Sequence, residues 1–357
     1  MLQLVFQGQL PANEEYAGLG GSLGIDLVTL KLLQQQWTTS FSWSNEQAAL
    51  NNKPGIITII DNITVHFTHE KSRESDAIPL ILSHGWPGSF AELIPLINPL
   101  TTAAETSTGK PISFNVVVPS LRGYASPVRI FNTLMTEVLG YKTYVAHGTG
   151  WGSNIAYDNF NTSVRAAHLL GVPFLPLSPD QFTSHNITLN EDEQFQEDVV
   201  IAFQASGSGY TIEQSTKHNI IGLTLYNNPI NQLACISEKY IEWSDPRADT
   251  TPSILTHEHI LLEVSLYYMT KSFVSFVFTY SQNAAPFKSG YRKARTDTPM
   301  LFSSFKYNFG FWTKDVISWG GNLVLYNYHD FGGHFPALNN PPALIQNLRE
   351  IGNYWYS

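Results

Sequence analysis

The sequence predicts an α/β fold: a mostly parallel sheet with helices on both faces, interrupted by a helical insertion. Three observations predict it. Fully apolar runs of strand length recur along the chain, at IPLILS, FNVVVP and TYVAH, and each ends in a loop of small residues. Helix-compatible stretches separate them, and apolar strands alternating with helices indicate a parallel sheet covered on both sides. Between about 166 and 290 the strand signal vanishes and aromatic-rich helical sequence takes over.

The elements follow in order. Residues 24–37, GIDLVTLKLLQQQW, carry apolar side chains at helical spacing. Residues 55–70, GIITIIDNITVHFTHE, are two β-branched runs around an Asp-Asn turn, which reads as a hairpin. IPLILSHGWPGS (78–89), FNVVVPSLRGY (114–124) and the run ending in TYVAHGTGWG are buried strands passing into tight loops. Later strands are expected at TPMLFSSF (298–305) and at the start of NLVLYNYHDFGGH (322–334). The sheet core is therefore placed at 72–165 and 291–357, and a helical cap at 166–290. Such a cap would lie over the carboxyl ends of the strands, where open sheets place ligands.

Composition bounds the partners. The chain has 357 residues, 43% of them hydrophobic and only 14% charged. Its formal net charge of −9 argues against nucleic acid or an anionic membrane surface. The single cysteine, Cys235, excludes an intrachain disulfide and a cysteine-rich metal site. The opening MLQLVFQGQL lacks a basic segment and a long apolar run, so it does not read as a signal peptide. HILLEVSLYYMTKSFVSFVFTY (259–280) contains Glu263 and Lys271 and reads as a buried helical stretch, without a membrane span. A soluble, cytoplasmic protein is expected.

Three loops carry the chemistry. YVAHGTGWGSNIA has the strand, tight turn and helix of the nucleophile elbow of α/β-hydrolases, where a side chain is held on a strained turn above the sheet. The nucleophile slot is position 150, and it holds glycine. His84-Gly85-Trp86-Pro87-Gly88 follows a buried strand and suits an oxyanion or substrate pocket, with Trp151 beside the elbow as a further pocket residue. His334, in DFGGHFPAL, follows the last strand, where the α/β-hydrolase order places its histidine.

Taken in order, HGWPGS, PSLRGY, the GWGS turn and GGHFPAL resemble the microsomal and juvenile-hormone type of epoxide hydrolase. QWTTSFSWSNEQAALN resembles that family's N-terminal wrap, which assigns residues 1–71 to it, and GSGYTIEQSTK and EKYIEWSD extend the likeness into the cap. The resemblance implies the α/β-hydrolase fold and an aspartate nucleophile that opens the epoxide to an ester. Two lid tyrosines would donate to the epoxide oxygen, and a histidine oriented by a carboxylate would activate water. Carried over by position, the tyrosines are Tyr210 and Tyr280 and the histidine is His334. The nucleophile falls on Gly150 and the orienting acid on Asn308, so two roles are unfilled, and His334 is the weaker base unless Asp330 or Asp315 reaches it.

Losing a covalent nucleophile costs about 10⁴–10⁶ in rate. The expected function is accordingly non-hydrolytic: cyclisation, isomerisation or rearrangement of a small, largely apolar metabolite, with tyrosine donors and a histidine base. The alternatives are a true epoxide hydrolase using direct water attack, and a catalytically inactive ligand-binding protein. No cofactor or metal is expected, because the histidines are scattered without paired ligand spacing. The expected partners are an apolar small molecule and, at most, a second copy in a homodimer.

Overall fold

The computed structural model describes residues 1–355 apart from 17, 19, 54, 122–126, 159–162, 283–292 and 295. Its main sheet has eight strands: β1 (Gly55–Ile60), β2 (Ile63–Glu70), β3 (Ile78–Ser83), β4 (Phe114–Pro119), β5 (Tyr144–Gly148), β6 (Val164–Leu169), β7 (Pro299–Phe305) and β8 (Asn322–His329). They lie in the order β1-β2-β4-β3-β5-β6-β7-β8. The hairpin β1–β2 and the pair β2–β4 are antiparallel, and all other pairs are parallel. This is the mostly parallel sheet of the α/β-hydrolase fold.

Alternation along each strand feeds two core layers, because successive side chains point to opposite faces. Leu80, Leu82, Val116, Val118 and Val145 pack with Leu93, Leu96, Ile97 and Leu100 of the helix Phe90–Thr101 and with Leu344 and Leu348 near the C-terminus. Their neighbours Ile81, Val117 and Ala146 face the other way, onto Ile130, Phe131, Ile155 and Ile317. The hairpin turns at Asp61 and Asn62, both with positive φ (52° and 63°), as a two-residue turn requires, with Ile60 paired to Ile63.

One expected boundary moves. The helical insertion, expected from 166, starts later, because β6 runs to Leu169 and pairs with β5 and β7. His168 breaks the apolar run there, yet it is buried and hydrogen-bonded by His147 Nδ1 (2.9 Å) and Ser303 Oγ (2.8 Å), so burial costs it no unpaired ring nitrogen. The helices of the cap run from Pro179–Ser184 to Phe273–Gln282, and the expected boundary at 290/291 lies outside the described residues. The N-terminal wrap, expected over 1–71, is helical only to Asn51, and its last part is the hairpin that extends the sheet.

The wrap packs on the cap. Leu30, Leu33 and Trp37 of the helix Leu27–Thr39 share one apolar layer with Leu233, Ile236, Tyr240, Ile260 and Val264. Trp37 Nε1 donates to Ser265 Oγ at 3.1 Å, which satisfies its buried N–H. Among the described residues no single helix is long and apolar enough to cross a membrane. The helices His257–Met269 and Phe273–Gln282 pass that test only together, across a 90° bend.

Beneath the HGWPG loop lie two carboxyls without a cationic partner among the described residues. Glu92, on the helix after the loop, and Glu263, on a cap helix, are each 2% exposed. Burial raises both, Glu92 well above the usual carboxyl range and Glu263 to about 8, so the pair is held with at least one proton at neutral pH.

Candidate active site

The elbow forms where β5 passes into the helix Trp151–Asp158. Gly150 has φ +50°, in the left-handed region that glycine enters without steric cost. A Cβ built there would stand 3.2 Å from His334 Nε2 and 3.3 Å from Gly85 Cα. The turn therefore keeps the conformation that would aim a side chain at the histidine, while no side chain is present.

His334 is held from three sides. Its backbone N–H donates to Trp243 O at 2.7 Å. Gly333 makes this approach possible, since a Cβ there would meet Trp243 O at 2.4 Å. Phe309 stacks on the imidazole at 4.3 Å between centroids, and Trp243 and Phe335 present edges to it at 5.3 and 5.1 Å. The Nδ1 lies 2.9 Å from Asn308 Oδ1, while Asn308 Nδ2 donates to Leu170 O at 3.4 Å. With the amide nitrogen so engaged, Oδ1 faces the ring, so Nδ1 carries the hydrogen and Nε2 is a bare acceptor. Burial pushes His334 down to about 3, and Asn308 supplies orientation without the charge that would raise it again.

The expected substitute acids are placed elsewhere. Asp330 accepts from Lys306 Nζ at 2.8 Å and Arg247 Nη1 at 3.1 Å on an exposed rim. Asp315 lies in the first turn of the helix Lys314–Ser318, and no hydrogen bond or ion pair among the described residues links it to His334.

Facing the elbow, the cap supplies both tyrosines. Tyr210, from the helix Gly209–Thr216, and Tyr280, from Phe273–Gln282, meet edge to face at 5.6 Å. Trp86 stacks on Tyr210 at 4.8 Å and stands edge-on to Tyr280 at 5.7 Å, and Trp151 meets Tyr280 at 5.1 Å. Burial raises both phenols above their ordinary range; the neighbouring Tyr280 raises Tyr210 further. Both stay protonated, as hydrogen-bond donors must. Lys239, 6% exposed, sits 5.0 Å over the Tyr210 ring, a cation–π contact on the far side of the cavity wall.

These groups line a cavity of about 120 Å³ whose surface is mostly apolar and rich in aromatic side chains. Gly150, Trp86, Trp151, Tyr210, Tyr280, Asn308 and His334, all singled out from sequence, line it. Three other expected pocket residues do not. His84 spends its ring nitrogens on Gly85 O (2.9 Å) and the N–H of Leu121 (3.0 Å), tying the ends of β3 and β4 together. Gly85 backs onto the elbow, and Pro87 is absent from the lining. Arg122, Gly123 and Tyr124 of the PSLRGY motif lie outside the described residues. Phe203, Phe309 and Trp312 complete the aromatic wall and were not singled out. Only the density of aromatics in the cap and near GFW signalled them.

Among the described residues no group of three or more His, Cys, Asp or Glu is disposed to hold a metal ion. The site instead offers two phenol donors and one imidazole acceptor in an apolar chamber, which can polarise an oxygen and accept a proton.

Comparison with known proteins bears on what that chamber is. The family model "epoxide hydrolase N terminus" matches residues 2–93. A relative from Stigmatella aurantiaca that carries the epoxide hydrolase name is 31% identical over 349 residues, covering 92% of this chain and 76% of the relative. The chain belongs to the epoxide hydrolase family. Juvenile hormone epoxide hydrolase 1 of Ctenocephalides felis is 25% identical, over 93% of this chain and 78% of the relative. The Aspergillus niger epoxide hydrolase structure superposes with a TM-score of 0.81 at 29% identity, over 99% of this chain and 92% of that one. The silkworm juvenile hormone epoxide hydrolase shares the fold, with a TM-score of 0.85 at 22% identity over 99% and 91% of the two chains.

Proposed function

We propose that this epoxide hydrolase family member opens or rearranges a strained oxygen electrophile without hydrolysing it. Its substrate is a small, largely apolar molecule. Tyr210 and Tyr280 donate to the reacting oxygen, and His334 accepts a proton. The observation that carries this reading is Gly150 on the elbow. Its left-handed φ preserves the aiming geometry, and nothing is aimed but a Cα hydrogen. An ester intermediate needs a carboxylate there, and no carboxylate lines the cavity among the described residues.

Preorganised donors in a dry site are worth far more than in water, because they need no reorganisation as charge develops. Two phenols on one oxygen supply that stabilisation, and both are kept neutral by burial. Reading the chain instead as a hydrolase is favoured by the bare His334 Nε2 facing the cavity, which could orient a water for direct attack.

Reaction in ¹⁸O-water separates the two. The product of an isomerase or cyclase carries no solvent oxygen, whereas a diol from hydrolysis carries one per turnover. Stoichiometric label in the product overturns the non-hydrolytic reading.

A further inference from the structure

We infer that the substrate brings its own nucleophile: a hydroxyl seated in the Gly150 slot against His334 Nε2, tethered to an epoxide whose oxygen Tyr210 and Tyr280 hold. The inference rests on the non-hydrolytic reading above and names the substrate class of the same site, hydroxy-epoxides that close to cyclic ethers.

Hydrogen-bond polarity leads to it. The imidazole presents an acceptor to the cavity, because Nδ1–H is committed to Asn308 Oδ1. No described residue donates to Nε2, so a ligand must present an O–H or N–H there or leave it unsatisfied. The two phenols are hydrogen-bonded to each other, and as neutral O–H groups both can turn to donate to an acceptor oxygen placed between them. A ligand that satisfies both ends has a hydroxyl and an ether-type oxygen on one compact apolar frame, enclosed by the aromatic wall.

Space agrees with polarity. A Cβ at Gly150 would stand 3.2 Å from Nε2, so the slot beyond the glycine opens directly onto the imidazole. With glycine, that volume is left for the ligand. Its hydroxyl therefore takes the position from which a side-chain nucleophile would have attacked.

The chemistry balances without a co-reactant. A hydroxyl lone pair forms the new C–O bond to the near epoxide carbon. The old C–O bond breaks, its electron pair goes to the epoxide oxygen, and that oxygen takes a proton from the tyrosine pair. The hydroxyl proton passes to His334, which returns it to the tyrosinate, and the product is an isomer of the substrate. His334 suffices as the base even without a carboxylate behind it. A hydroxyl attacking an acid-activated epoxide becomes strongly acidic only as the bond forms, and a weak base then removes its proton. Tethering also explains the preference over water, since intramolecular attack reaches effective molarities of about 10⁵–10⁸ M.

The test uses a phenyl-substituted γ,δ-epoxy alcohol and its O-methyl ether, each with the full chain in ¹⁸O-water. The expected result is an unlabelled cyclic ether from the alcohol and at least a ~10²-fold slower loss of the methyl ether. His334→Gln should lower cyclisation by about 10²–10⁴, the usual contribution of a positioned base. Equal, unlabelled conversion of the methyl ether overturns this inference and leaves the non-hydrolytic reading standing. Labelled diol from both compounds overturns that reading, and this one with it. An epoxy alcohol that is recovered unchanged, bound or unbound, also overturns the self-nucleophile inference.

Discussion

On the proposed mechanism Tyr210 and Tyr280 hold one oxygen between them, so their effects should not be independent. Loss of one oxyanion donor costs on the order of 10²–10³ in kcat, and each Tyr→Phe change is expected in that range, with smaller effects on KM. The double variant should fall short of the product of the single losses. Wild-type rates on the epoxy alcohol in the Tyr210→Phe/Tyr280→Phe variant would remove both residues from the mechanism. Asn308 sets a second expectation at this scale. Asn308→Asp places a charge 2.9 Å from His334 Nδ1, and an adjacent carboxylate favours imidazolium. The ring, now depressed to about 3 by burial, should titrate higher, which ¹⁵N NMR of the imidazole would show. An unchanged ring titration would mean that residue 308 does not govern the base. The elbow and His334 were legible in the sequence because strand-end loops of small residues announce themselves, whereas Tyr210, Tyr280 and Asn308 were placed by the family resemblance. The roles of His84 and Asp330 were not legible, because the partners that occupy them, the Leu121 N–H and Lys306, come from other elements.

At the scale of elements, the wrap and the cap form one apolar layer over the core. Trp37 is fully buried in it, and truncating such a side chain costs about 3–5 kcal/mol. Trp37→Ala should therefore lower the unfolding midpoint and open the wrap to proteolysis ahead of the sheet. Wrap cleavage no faster than in the parent chain would show that the layer is not held by this side chain. The central strands β3 and β4 could be read in advance because each is a nearly unbroken apolar run with a period-two division between two faces. β6 could not, since Arg165 and His168 interrupt its apolar pattern in sequence, and His168 is matched by a cross-strand histidine and Ser303. The start of the cap was misplaced for that reason.

For the molecule as a whole, burial sets opposing pH dependences. Burial lowers His84 and His147 to about 4, His334 to about 3 and His168 well below its ordinary value of 6.5. Below pH 6.5 the unfolded chain binds protons that these four do not, so stability falls with pH there. Glu92 and Glu263 act the other way. They hold protons in the fold that the unfolded chain releases above about 4.5, so they erode stability as pH rises towards 8. Burial also lowers His66, His69, His257, His259 and His329 and raises Glu46, Glu197 and Glu242, so histidines outnumber carboxyls between 4.5 and 6.5, each fully engaged group worth about 1.4 kcal/mol per pH unit. Above 6.5 only the carboxyls remain. Thermal unfolding midpoints should peak near pH 6.5 and fall on both sides, and Glu92→Gln with Glu263→Gln should flatten the alkaline limb alone. A midpoint that climbs steadily to pH 8 would contradict the carboxyl assignment.

The aromatic wall of the cavity also gives the protein an optical property. Three of the chain's eight tryptophans, Trp86, Trp151 and Trp312, border the space a ligand would fill, and Trp86 lies against the face of Tyr210. Indole emission responds to the polarity and stacking of its surroundings, so occupancy of the chamber is written into the intrinsic fluorescence. A compound can therefore be sorted as a ligand by the colour and intensity of that emission before any reaction has been found for it.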